Sequence, residues 1–147
     1  MKSKVKIIWL LLMVSVMIVI FCLSNQPSKV STQISDMVAE EINIQPEHEW
    51  ATPSATKIAF GLNIRKMAHI GLFALLGITA IGYTTEIFRA SAICFSYAIF
   101  DEVHQFFVDG RTASVRDVAY DAIGFLLVIL AWEIIAIIRS KANSERF

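Results

Sequence analysis

Residues 100–117 read FDEVHQFFVDGRTASVRD, and ten of these side chains are ionisable or polar. Asp101, His104 and Gln105 stand at i, i+3 and i+4, so a helix puts them on one face, with Glu102 adjacent. Asp117 and Asp121 are four apart, and Gly124 continues their face. Upstream, Arg65 and Lys66 lie one turn before His69. Carboxylates and imidazoles grouped this way can serve as acid and base or hold a divalent metal. His69, Asp101, Glu102, His104 and Asp121 are the candidates for that work. Arg65, Lys66, Arg111 and Arg116 can hold a phosphate, with Gln105 and Asp117 completing the ligand-contact set. The metal itself is left open. No His-x-x-x-His or Glu-x-x-His pair occupies one helical turn, and Asp101 with His104 comes closest. No nucleophilic Ser or Cys stands beside a base in a recognisable motif, and there is no Gly-rich phosphate loop.

The elements that must carry these residues are apolar. Of 147 residues, 56% are hydrophobic and 18% charged, and the mean hydropathy is +0.60. That composition fits a multi-pass membrane protein of one domain, residues 1–147, better than a soluble one. The formal net charge is zero, so no global field points to nucleic acid. Ile7–Leu23 is a chargeless run behind Lys2, Lys4 and Lys6. It reads as an uncleaved membrane span, because no small-residue cleavage site follows it. Further spans are expected at about 66–84, 88–107 and 118–138, with Tyr83 and the tryptophans Trp9, Trp50 and Trp132 suited to the interfaces. Cys22 and Cys94 lie inside apolar runs and read as small hydrophobes.

Between the first two spans, residues 24–64 form an extracytoplasmic loop. Within it, Val30, Ile34, Met37, Val38 and Ile42 recur at helical spacing. They mark an amphipathic helix that lies on the membrane surface or packs over the bundle. Residues 46–53 read as a loop with a solvated His48, and Ser54 can cap a further helical turn. The expected fold is therefore all-α: an integral membrane bundle of four transmembrane helices with one or two surface amphipathic helices. Basic residues divide seven to six between the two sides, but the N-terminal lysines flank the first span, which places both termini in the cytoplasm.

Depth makes the polar residues informative. If the third span enters near Arg89, Asp101 follows after 12 residues. At ~1.5 Å per residue that is roughly 18 Å into a hydrocarbon core of roughly 30 Å. His69 lies one turn below Arg65 and Lys66, and Asp121 one turn below Asp117. Three helices thus deliver ionisable groups to one outer-leaflet layer, where a lone charge costs about 2.5–3.5 kcal/mol and a cluster lowers that cost. Arg111 reads as a rim cation near water, and Gly110 as the residue that permits the turn between the third and fourth spans.

The segments RKMAHIGLFALLG and DEVHQFFVDGRTASVRDVAYDAIG resemble the VanZ-like family of small bacterial membrane proteins. The family pattern joins Lys-x-x-His, Asp-Glu-x-x-Gln, Gly-Arg, and an Asp followed four residues on by Asn or Asp, then Gly. Here these fall on Lys66 and His69, on Asp101, Glu102 and Gln105, on Gly110 and Arg111, on Asp117 and Asp121, and on Gly124. Phe73 and Asp109 depart from the frequent family choices of an aromatic hydroxyl and a proline.

The resemblance implies a cell-membrane protein of the bacterial envelope, of the kind named for resistance to the glycopeptide antibiotic teicoplanin. Three mechanisms stay open: a polar outer-leaflet site that engages an envelope lipid, lipid-linked cell-wall precursor or glycopeptide; an enzyme acting on a lipid-linked phosphate; or a small transporter. Membrane lipids are the expected partners, and the oligomeric state is not set by the sequence.

Overall fold

The computed structural model describes residues 3–27, 33, 37 and 53–144, with side chains throughout except at 53–65. The described residues contain four α-helices and no strand: α1 Ser3–Ser24, α2 Pro53–Thr84, α3 Ile87–Phe106 and α4 Val115–Ser144. α2 and α3 pack against each other and against both remaining helices, whereas α1 and α4 flank them without touching. Of the expected surface helix, only Gln33 and Met37 are described, and both are helical and exposed. His48 and Trp50 lie outside the described residues.

Burial in α1 is a stripe, not a core. Met13, Val16, Ile20 and Ser24 are buried at helical spacing, while Leu11, Leu12 and Ile18 are exposed. In water that exposure would be unfavourable; in hydrocarbon it carries no penalty, and the buried stripe is set by packing alone. The same holds in α4, where Asp121, Gly124, Phe125 and Ile129 are buried and Leu126, Leu127 and Leu130 are exposed. Ser3–Ser24, Lys66–Thr84 and Val115–Ser144 are each long and apolar enough to cross a membrane, and the chain is an all-α membrane protein. α3 is 20 residues long, roughly 30 Å at ~1.5 Å per residue. It is not as apolar, because every membrane-length stretch of it includes Arg89, Asp101 and Glu102.

The elements differ from expectation mainly at the second span. The separate helical turn expected from Ser54 is part of one continuous helix that begins at Pro53 and not near residue 64, while residues 46–52 of the expected loop lie outside the described residues. Proline at a first helical position lacks only an N–H that has no partner there anyway. At its far end, α2 stops at Thr85, which adopts a left-handed φ of 57°. For a β-branched residue that backbone is strained. The Thr84 hydroxyl accepts from the Glu86 N–H at 3.3 Å, which braces the turn into α3. Gly110 takes a φ of 72°, so glycine serves the α3–α4 turn as expected.

Small residues bring the helices together. A Cβ on Gly124 would lie 2.2 Å from the Ile70 carbonyl oxygen, and one on Gly77 3.2 Å from the Phe125 backbone. Trp9, expected at the interface, lays its ring against Gly82. α3 uses Ala90, Cys94 and Ala98 for its buried face, then continues that face with Asp101, Glu102 and Gln105. One stripe thus changes from small and apolar to polar as the helix rises. Cys22 and Cys94 are both free.

Candidate functional site

The polar end of the α3 stripe meets residues from the other three helices. Asp101 is fully buried, and its Oδ2 accepts from the Ser24 hydroxyl at 2.9 Å and from Gln105 Nε2 at 2.7 Å. His69 of α2 sits between two carboxylates. Its Nδ1 lies 3.4 Å from Asp121 Oδ1 and 3.9 Å from Asp101 Oδ2. Asp121 is delivered by α4 one turn before Gly124, so the close helix contact at that glycine holds Asp121 against α2. Phe73, fully buried one turn along α2, carries the stripe from His69 into the apolar core.

Above these groups lies a cavity of about 80 Å³. Space of that size admits a few waters. His69, Asp121 and Gln105 form part of its wall, with Lys66, Arg111 and Asp117 around them. Tyr120 completes the lining, and the Lys66 ammonium stands 4.6 Å from the centre of its ring. Asp101 contacts two of the lining residues but does not line the cavity itself. The cavity therefore has a carboxylate–imidazole floor and cations on its wall.

Arg111 is more than a rim charge. Its Nη1 donates to Gln105 Oε1 at 2.9 Å, its Nε to the Gln26 carbonyl at 3.1 Å, and its Nη2 to the Leu23 carbonyl at 3.4 Å. It ties the α3–α4 connection to the end of α1 through two backbone carbonyls there. It stays half-exposed at the cavity wall, as a rim cation should, and is held there by these bonds.

Two expected site residues point elsewhere. Glu102 Oε1 accepts the Ser114 backbone N–H at 2.5 Å, and Ser114 Oγ accepts the Arg116 N–H at 3.2 Å. Ser114 is thus the N-cap of α4, and Glu102 places a carboxylate at that helix's positive end. His104 faces α1: its ring stacks on Phe21 at 4.3 Å and neighbours Phe100 at 6.4 Å, with a buried Nε2 that has no hydrogen-bond partner. Arg116 is exposed and does not line the cavity. Arg65 begins the helical turn before His69, but its side chain lies outside those described.

Ser24 and Tyr120 belong to the site without any mark in the residue spacing. Ser24 ends an apolar run, and a lone serine there looks like a helix terminus. Its depth beside Asp101 becomes visible only once α1 is packed on α3. Tyr120 adjoins Asp121 and looks like an interfacial aromatic; its place in the cavity depends on Lys66 from another helix.

A family model described as VanZ/LLP1 matches residues 9–136. No curated protein and no solved structure matches the chain.

Proposed function

The chain belongs to the VanZ/LLP1 family, and we propose on that premise that it is a single-domain, four-span protein of the bacterial cell envelope whose outer-leaflet cavity engages an anionic lipid or lipid-linked cell-wall precursor, and so contributes to resistance to teicoplanin-type glycopeptides. One observation carries the reading. Ser24, His69, Asp101, Gln105 and Asp121, drawn from all four helices, form a polar network under a cavity that Lys66 and Arg111 line. Ionisable groups gathered inside a membrane bundle mark function by default. Lys66 and Arg111 suit a phosphate. The N-terminal lysines favour an orientation with both termini in the cytoplasm and the cavity outside.

The test is a susceptible host producing the wild type or variants at equal membrane level. The wild type should raise the teicoplanin concentration needed to stop growth, and Lys66→Gln and Asp121→Asn should abolish that increase. In detergent, Lys66→Gln should weaken phosphatidylglycerol binding, and salt should weaken wild-type binding. Undiminished resistance and lipid binding in both variants reject the site.

A second reading is favoured by the 3.4 Å approach of His69 to Asp121. A histidine beside a carboxylate at a cavity wall is a general-base arrangement, suited to a membrane-embedded enzyme that hydrolyses a lipid-linked phosphate. Release of inorganic phosphate from such a lipid by the wild type, and not by His69→Gln, is its signature.

A further inference from the structure

Asp101, Asp121 and His69 bring two carboxylates and one imidazole together in the interior of the bundle. Asp101 is 0% exposed and Asp121 2% exposed. One potential ligand atom from each of the three residues lies within 4.8 Å of the others. Among the described residues this is the group of histidine, cysteine and acidic side chains that converges so closely. Two like charges placed this near each other in a low dielectric repel strongly, and a cation between them removes the repulsion.

The two distances from His69 match coordination. Ligands ~2.1 Å from a common Zn²⁺ are separated by ~3.4 Å across a tetrahedral angle. His69 Nδ1 and Asp121 Oδ1 are 3.4 Å apart, and His69 Nδ1 and Asp101 Oδ2 are 3.9 Å apart, a wider angle at the same ion. A second, independent feature points the same way. Oδ2, the Asp101 oxygen nearest His69, is also held by Ser24 and Gln105, and the other oxygen, Oδ1, is buried and accepts no hydrogen bond, so the carboxylate keeps an unused ligand atom. Buried carboxylate oxygens are rarely left so. Ser24 and Gln105 meanwhile do what outer partners do at metal sites: they fix the orientation of a ligating carboxylate.

We propose that His69, Asp101 and Asp121 hold one divalent transition-metal ion, Zn²⁺ or Mn²⁺, at the cavity floor. Three protein ligands leave coordination positions open, which is the pattern of a site that takes a further ligand. Those positions receive an oxygen of the anionic headgroup, phosphate or carboxylate, that Lys66 also faces. The identity of that anion rests on the outer-leaflet reading above; the metal site does not.

The experiment uses full-length, tag-free protein in detergent, stripped with EDTA and titrated with ZnCl₂ or MnCl₂ in a calorimeter. The wild type should bind about one ion per chain, and folded Asp121→Asn and His69→Gln should each bind at least tenfold more weakly. Ser24→Ala, which removes one of the two hydrogen bonds that orient Asp101 Oδ2, should weaken binding by about tenfold. Binding absent from the wild type, or unchanged in the two folded ligand variants, overturns the proposal. A second measurement needs no ligand variant. The chain has three histidines, so a His48→Gln, His104→Phe protein retains His69 alone. Pulsed EPR of its Mn²⁺ form should show coupling to a histidine nitrogen, and no such coupling overturns the site. Phosphatidylglycerol binding by the metal-free protein is measured separately. If it persists while no ion binds, the metal site fails and the lipid reading stands.

Discussion

Asp101 shows how a buried charge is made tolerable and where the arrangement stops short. Ser24 and Gln105 satisfy one of its oxygens. A hydrogen bond to a buried carboxylate contributes about 1.5–3 kcal/mol in soluble proteins, but polar contacts between membrane helices average about 0.6 kcal/mol and reach about 1.7. The full burial of Asp101 favours the upper end of the membrane range. Ser24→Ala should therefore destabilise the protein by about 1.5 kcal/mol in a mixed-micelle unfolding titration, because α1 loses one of its polar ties to α3. His104 makes the opposite case. Its ring already packs as an aromatic between Phe21 and Phe100, and its Nε2 is buried without a partner. His104→Phe keeps the shape and removes the unsatisfied nitrogen. It should stabilise the fold by about 1 kcal/mol and leave lipid binding unchanged. Loss of binding in that variant would return His104 to the site.

The helices decide which side chains meet, and the glycines decide how closely. Gly124 and Gly71 form a matched pair for testing this. A Cβ at Gly124 would press on the Ile70 carbonyl oxygen at 2.2 Å, whereas one at Gly71 meets nothing within 4 Å. Both are helical, so alanine gains intrinsic propensity of about 1 kcal/mol at either position. Gly71→Ala should raise the melting temperature. Gly124→Ala should lower it, since overpacking costs about 1–3 kcal/mol, and Gly124→Leu should reduce the yield of folded protein further. Because Asp121 is one turn away, separating α2 from α4 also lengthens the His69–Asp121 approach; weaker lipid binding should accompany the lost stability. This close contact was legible in the sequence, as Asp117, Asp121 and Gly124 share one helical face. The convergence of His69, Asp101 and Asp121 was legible too, from their common depth. The assignment of Glu102 to the α4 cap was not, since it requires the chain to turn back at Gly110 and bring Ser114 to α3. The stacking of His104 on Phe21 was equally hidden, because helical periodicity places a residue on a face without saying which neighbour that face meets.

At the scale of the whole molecule, α3 sets length against charge. Its 20 residues reach across a hydrocarbon core at ~1.5 Å each, but it carries Arg89, Asp101 and Glu102. Arg89 pairs with Glu86 at 2.9 Å at the exposed start of the helix, where both remain near headgroups and water. Asp101 and Glu102 are buried in protein and hydrogen-bonded. The charges that lower the apolar character of α3 are therefore kept from lipid, which supports the proposed fourth crossing. Four crossings put Ser3 and Ser144 on the same side; three would put them on opposite sides. In a Cys22→Ser, Cys94→Ala background, single cysteines at Ser3, Ser54 and Ser144 distinguish these arrangements in intact cells treated with a membrane-impermeant thiol reagent. Cysteines at Ser3 and Ser144 should be shielded and become reactive only after permeabilisation, while one at Ser54 should label directly. Labelling at one terminus alone would mean three crossings, and labelling at both would invert the molecule and turn the cavity toward the cytoplasm. Either result would remove the outer-leaflet lipid as the ligand, whatever the affinity of the isolated protein.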